Sequence, residues 1–228
     1  MKTVIPFCLT LIILIGSAGV SWSGDFQKGV TAYKNHDYAT ALREWMPLAK
    51  QGDASAQQKI GWLYRNGYGV PEDHGTAVKW YKLAAEQGNA AAQNDLGGMY
   101  YFGRGVFRNH NAAAKWYTLA AEQGNAAAQD SLGDMYFGGP HPSHGGVPQD
   151  YKTAIKWNTL AAEQGNQYAQ NDLGEMYWKG QGVPQDRKTA VKWYTLAAEQ
   201  GNAFSQDAMN AITPWWKFWA FYGWWRFW

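Results

Sequence analysis

Residues 89–124 read NAAAQNDLGGMYYFGRGVFRNHNAAAKWYTLAAEQG, and this stretch decides the fold. Ala91, Ala92, Leu96, Met99 and Tyr100 recur at helical spacing. After a glycine-rich loop, Ala113, Trp116, Tyr117, Ala120 and Ala121 recur at the same period, so the stretch predicts two amphipathic helices joined by a turn. Outward from it, the closing glycine returns at Gly52, Gly88, Gly124, Gly165 and Gly201, at intervals of 36, 36, 41 and 36 residues. The chain is therefore a repeat array. Such units cannot bury their apolar faces alone; they stack into an elongated solenoid whose long surfaces suit binding.

The helix ends are specified twice per unit. An Asp or Asn stands where each first helix begins (Asp53, Asn89, Asn125, Asn166, Asn202) and before each second helix (Asp73, Asn109, Asp150, Asp186), as N-caps. The glycine ahead of each first cap ends the preceding helix. Inside the first helices, Gly61, Gly97, Gly133 and Gly174 each cost roughly 1 kcal/mol of helix propensity relative to alanine, which predicts close helix packing there. The pairs Ala84-Ala85, Ala120-Ala121, Ala161-Ala162 and Ala197-Ala198 serve the same approach from the second helix. Trp80, Trp116, Trp157 and Trp193 are expected to fill the larger gaps of the core. Eleven helices follow: pairs beginning near Asp25, Asp53, Asn89, Asn125 and Asn166, then a lone helix from Ala203 to about Ile212 before Pro214.

The run Ala92-Gln93-Asn94-Asp95-Leu96-Gly97-Gly98-Met99-Tyr100, then Gly103-Arg104-Gly105-Val106, then Ala113 to Trp116 and Ala120-Ala121-Glu122-Gln123-Gly124, resembles the Sel1-like repeat. The resemblance covers residues 53–213, with the last helix as a terminal cap. Residues 24–52 resemble a divergent, tetratricopeptide-like first pair, with Ala39, Ala41, Leu42 and Trp45 in the second-helix pattern. It implies an all-α fold, an α/α superhelical solenoid of helix-turn-helix repeats, acting as a protein-interaction scaffold in secreted or periplasmic bacterial proteins. Cysteine-bridged repeats similar to this family are linked with β-lactam binding or hydrolysis, but this chain lacks their disulfide cysteines. A cell-envelope hydrolase or β-lactam-binding protein thus stays an alternative to the non-enzymatic scaffold.

Composition narrows the field. The 228 residues carry a net charge of +2, which gives no electrostatic pull on nucleic acid. Residues 1–23 combine Lys2, an apolar run from Val4 to Ile15 and small residues ending at Ser23, the pattern of a secretory signal peptide, so a periplasmic or secreted location is expected. The single cysteine, Cys8, lies in that run, so the mature chain is expected to hold no thiol for disulfides, catalysis or metal ligation. No cofactor is expected.

Positions shared by all units are explained by packing, so function is expected where units differ. Along the first helices the positions spaced i, i+4 and i+7 vary: Gln58, Trp62, Arg65; Asn94, Gly98, Tyr101; Asp130, Asp134, Phe137; Asn171, Glu175, Trp178. They share one helical face. In stacked helix pairs the first helices line the inner curve, where Tyr101, Phe137 and Trp178 form an aromatic ladder beside Asp130, Asp134 and Glu175. Trp62, Tyr101, Asp134, Phe137, Glu175 and Trp178 are the expected partner-binding residues, suited to an extended peptide or basic segment. The competing reading is that the aromatics pack on a neighbouring loop and the carboxylates are solvated.

The third unit carries five extra residues, in a loop from Gly138 to Gly146 that includes Pro140-His141-Pro142-Ser143-His144. Two histidines three apart lack a third ligand by spacing, so no metal site is assigned and a surface loop is expected. No serine or histidine is set beside a recognisable base, and no catalytic residue is assigned. Residues 214–228 form an aromatic-rich tail, from Trp215-Trp216-Lys217 to Trp228. It either caps the open end of the last helix, lies at a membrane surface as the anchor of a peripheral adaptor, or is an altered terminus.

Overall fold

The structure is a computed structural model that describes residues 24–141 and 145–212. The leader expected over 1–23, the loop residues Pro142, Ser143 and His144, and the aromatic tail expected over 214–228 lie outside the described residues.

Helix follows helix: α1 (Phe26–Lys34), α2 (Tyr38–Lys50), α3 (Ala54–Asn66), α4 (His74–Glu86), α5 (Ala90–Phe102), α6 (His110–Glu122), α7 (Ala126–Gly138), α8 (Tyr151–Glu163), α9 (Gln167–Lys179) and α10 (Arg187–Glu199). An eleventh, α11, spans 203–212. From α1 to α10 each helix packs on the next in the chain, and α7 also touches α9. This is the solenoid that the repeat predicts.

The starts of the helices are where the sequence puts them. Asp53, Asn89, Asn125 and Asn166 accept first-turn backbone N–H groups at 2.6 to 3.1 Å. Asp73, Asn109, Asp150 and Asp186 do the same for the second helices. The paired alanines of the second helices, save the part-buried Ala198, are buried as expected, Ala84, Ala120, Ala161 and Ala197 completely.

One packing expectation needs correction. The tryptophans are part-buried, each against a core cluster shared by the preceding second helix and the first helix of its own unit, and they do not fill the gap opposite the helical glycines. The next residue along fills the gap. A Cβ on Gly61 would stand 2.7 Å from the Tyr81 ring, one on Gly97 2.7 Å from Tyr117, and one on Gly174 2.6 Å from Tyr194. These tyrosines are 0 to 7% exposed. A phenol is flat and narrower than an indole, so it lies directly on the backbone of the first helix. In the third unit the same place is taken by Asn158, which is wholly buried against Gly133.

A buried amide relay ties the units together. Gln93 Nε2 donates to the Ala85 carbonyl, 3.1 Å, in the last turn of the preceding second helix, where carbonyls lack helical partners. Its Oε1 accepts from Gln123 Nε2 at 2.7 Å. Gln57, Gln129 and Gln170 repeat both bonds, to Ala49, Ala121 and Ala162 and from Gln87, Gln164 and Gln200. The four inner glutamines are only 3 to 4% exposed, which such full satisfaction permits.

The longer third loop is pinched at its base. His141 and Gly145 exchange two backbone hydrogen bonds of 2.9 and 3.0 Å, and the next amide, Gly146 N–H, donates to Asn111 Oδ1 of the unit before at 3.1 Å. The chain thereby re-enters the common pattern before α8.

Candidate functional site

The variable positions lie along the seam between successive first helices. At two of the seams, residues of one first helix reach the sixth residue of the next, Gln58 and Arg65 reaching Asp95 and Asp134 reaching Asp172. At the α3–α5 seam Gln58 Nε2 donates to Asp95 Oδ2 at 2.7 Å, and Arg65 Nη1 stands 3.5 Å from Asp95 Oδ1. Burial pushes the Asp95 carboxyl up, while Gln58 and Arg65 pull it back. The Tyr81 hydroxyl is buried beneath this seam, and burial, then the Asp95 charge, raise it. At the α9–α11 seam the contact is neutral: Ser205 Oγ donates to Asn171 Oδ1 at 2.8 Å.

The α7–α9 seam is different. Asp134 faces Asp172 within hydrogen-bonding range, and Asp130 feels the same Asp172 charge. Burial and then Asp172 push the Asp130 carboxyl up to about 7. Burial first, and the neighbouring carboxyl next, also hold Asp134 above the usual carboxylate range, and burial raises Asp172. Asp130 Oδ1 has no hydrogen-bond partner. Glu175, one turn along α9, is neutralised by Lys179 through an i, i+4 ion pair.

The aromatics are placed one per unit. Tyr101 stacks on His110, centroids 4.6 Å apart and planes 11° apart; Phe137 leans on Tyr151 at 5.5 Å; Arg187 lies over Trp178 at 5.1 Å. Each is thus steadied by the first residue of its own unit's second helix. Among the described residues no ring of the three touches another. Trp62 sits apart, at 5.1 Å from both Tyr33 and Tyr68 in a nest that includes the stacked pair Tyr38 and Tyr68. The six expected binding residues therefore fall into an aromatic nest at the start of the array and a mixed acidic and aromatic face in its later units.

Sequence reasoning passed over Asp95, Asp172 and Asn158. The signal for Asn158 was present: Tyr81, Tyr117 and Tyr194 occupy its place in the other units. Phe107, 98% exposed on the loop before α6, was also passed over, because one exposed ring has no periodic signature. Among the described residues no group of three or more His, Cys, Asp or Glu is arranged to hold a metal ion, and no helix is long and apolar enough to cross a membrane.

No curated protein matches the chain. Solved structures do. A protective antigen present in uropathogenic Escherichia coli strains, displaying an SLR fold, is 35% identical, with TM-score 0.73 over 82% of this chain and 40% of the other. The chain thus spans well under half the length of that protein. A Sel1 repeat protein from Oxalobacter formigenes is 37% identical, with TM-score 0.73 over 82% of this chain and 75% of that one. An immunity protein from Pseudomonas aeruginosa shares the fold at 20% identity and TM-score 0.53, over 80% of this chain and 69% of that one. The model of the Sel1 repeat matches four consecutive segments, 54–89, 90–125, 126–166 and 167–202. With two thirds of its length in those four units, this chain belongs to the Sel1 repeat family, whose members are generally scaffolds for protein–protein interaction.

Proposed function

We propose that this protein is an exported scaffold that captures an extended, basic segment of a protein partner along the face of its first helices. The observation that carries this reading is the division of labour along the repeat. Packing residues largely recur from unit to unit, whereas charge and aromatic character vary along the first-helix seam. Tyr101, Phe137 and Trp178 supply apolar area already steadied by neighbours, which lowers the entropy lost on binding. The carboxylates beside them select a basic segment by charge. The mechanism is recognition, with no turnover.

The leader-like residues 1–23 support export to the periplasm or beyond. That one similar protein is a protective antigen of Escherichia coli accords with a place accessible from outside the cell. The aromatic tail over 214–228, with Lys217 and Arg226 among its rings, supports an added contact with a membrane surface. Vesicles of phosphatidylglycerol that sediment the full chain, but not a chain ending at residue 213, bear that contact out; equal sedimentation removes it.

The test of the central reading is crosslinking capture from the envelope fraction. The Tyr101→Ala, Phe137→Ala, Trp178→Ala triple variant should keep its helicity and lose most of the captured partner. Unchanged capture refutes the groove. Modification of the purified protein by a labelled β-lactam, or cleavage of peptidoglycan by it, would replace the scaffold reading with an enzymatic one.

A further inference from the structure

The acidic seam between α7 and α9 departs from the rest of the array at two places at once, and both departures point to one ligand. At the α3–α5 seam the chain answers its own buried carboxylate: Gln58 and Arg65 donate to Asp95. At the α7–α9 seam the matching positions are Asp130 in place of Gln58, Phe137 in place of Arg65, and Asp172 in place of Asp95. The donors have become acceptors and the guanidinium is gone. Asp134 adds a third carboxylate where the first unit has Trp62. Among the described residues none of the three is in an ion pair, and the nearby Lys179 is spent on Glu175.

The second departure is beneath the seam. In the other units a tyrosine crosses over the helical glycine, and Tyr81 and Tyr194 come within reach of the carboxylates above them. Asn158 replaces it in the third unit and ends short of where a phenol oxygen reaches. It is 0% exposed, lies on Gly133 between Asp130 and Asp134, and its Oδ1 has no hydrogen-bond partner. Its Nδ2 has only the Met176 sulfur, at 4.0 Å. An unsatisfied buried amide oxygen costs on the order of 1–3 kcal/mol. It adds an acceptor beside Gly133, next to carboxyls whose donors are the side-chain amides of Asn171, on Asp172, and Asn166, on Asp130, with no cation among them.

We propose that this seam is a receptor for the guanidinium of an arginine carried by the bound partner segment, seated among Asp130, Asp134 and Asp172 with Asn158 Oδ1 behind them. A guanidinium fits where a metal ion does not. It offers five donors in a planar fork, enough for acceptors spread over two helices, and the residues present are not arranged to close around a metal. The array shows the same chemistry internally, where Arg65 meets Asp95. Phe137, one turn along α7 from Asp134, gives the planar group an aromatic neighbour. The carboxyls, held up by burial and then by their neighbours' charge, would ionise once the cation arrives, which favours the charged pair.

This inference rests on the groove reading, and its experiment separates the two. The probes are a glycine-serine-tyrosine peptide with one arginine, the same peptide with citrulline in that place, and calcium chloride alone. The readouts are affinity and the side-chain amide resonance of Asn158 in the full chain. The arginine peptide should bind at least about tenfold tighter than the citrulline peptide, the worth of one charge-assisted hydrogen bond, and should shift the Asn158 resonance. Asn158→Tyr restores the tyrosine of the other units, so it should fold with an equal or higher melting temperature and bring the two peptides to equality. The Asp134→Asn, Asp172→Asn double variant, which keeps the packing, should do the same. Equal binding of arginine and citrulline peptides to the unaltered protein overturns the receptor while leaving the groove to its own aromatic test. Calcium moving the Asn158 resonance as far as the arginine peptide does also overturns it, in favour of a metal site.

Discussion

A helix-breaking residue inside a helix is explained here by what lies on top of it. Gly97 gives up roughly 1 kcal/mol of helix propensity, yet a methyl group there would meet two atoms of the Tyr117 ring at 2.7 and 2.8 Å, and Tyr117 is only 5% exposed. Overpacking of a rigid ring costs about 1–3 kcal/mol, so the clash outweighs the propensity gain. Gly97→Ala should therefore lower the melting temperature by several degrees, whereas Gly138→Ala, with open space around its Cβ, should raise it or leave it unchanged; thermal melts of both decide the point. The need for close approach was legible in the sequence, because glycine has no other reason to recur at that place. The partner was not. Tryptophan and tyrosine are adjacent in every unit but the third, and periodicity cannot say which of two neighbouring rings turns inward.

Between elements, the polar joints govern behaviour. Gln129 closes the joint between α6, α7 and α8 through Ala121 and Gln164, and replacing it with leucine removes both hydrogen bonds, leaving the Ala121 carbonyl to Gly124 N–H and the Gln164 amide to the Leu160 carbonyl. Gln129→Leu should cost about 2 kcal/mol, read from urea unfolding, and a loss below about 0.5 kcal/mol would mean that the relay does not hold the joint. The α7–α9 seam adds a dependence on pH. Asp130 binds its proton more tightly folded than unfolded, as do Asp134 and Asp172, with Glu175, Lys179, Asn166 and Asn158 around them. The native state therefore holds extra protons between about pH 4 and pH 7, so stability is present below that window and falls as pH rises through it. The capping carboxylates Asp37, Asp73, Asp150 and Asp186 are shifted the other way and act only in more acidic solution. The protein should melt a few degrees higher at pH 5 than at pH 8, and Asp130→Asn should remove part of that difference by stabilising the pH 8 form. A profile that is flat, or rises toward pH 8, contradicts the crowded seam. Here the sequence showed that Asp130 and Asp134 share one face of α7 and Glu175 the matching face of α9, but not that Asp172 of the next unit meets Asp134. A contact across the seam depends on the rise between units, which one helix's periodicity does not contain.

For the whole molecule, sequential packing means that stability is close to a sum over units and their joints. Removing residues 90–125, one complete unit, joins α4 to α7 through the same contacts that join α4 to α5. The shortened chain should stay helical and cooperative, with a urea dependence lowered in proportion to its length. It should lose the Arg65 to Asp95 pair, since Ser131 then stands opposite. Circular dichroism showing a molten or unfolded product would contradict a modular array. The pinch at His141 and Gly145, anchored on Asn111, bears on the same modularity. It separates the loop's contents from the pitch of the rod, so the residues between His141 and Gly145 can be added to, trimmed or exchanged for a foreign epitope without turning the later units relative to the earlier ones. That makes the third unit a natural graft point, where a second specificity can be added while the docking face keeps its geometry.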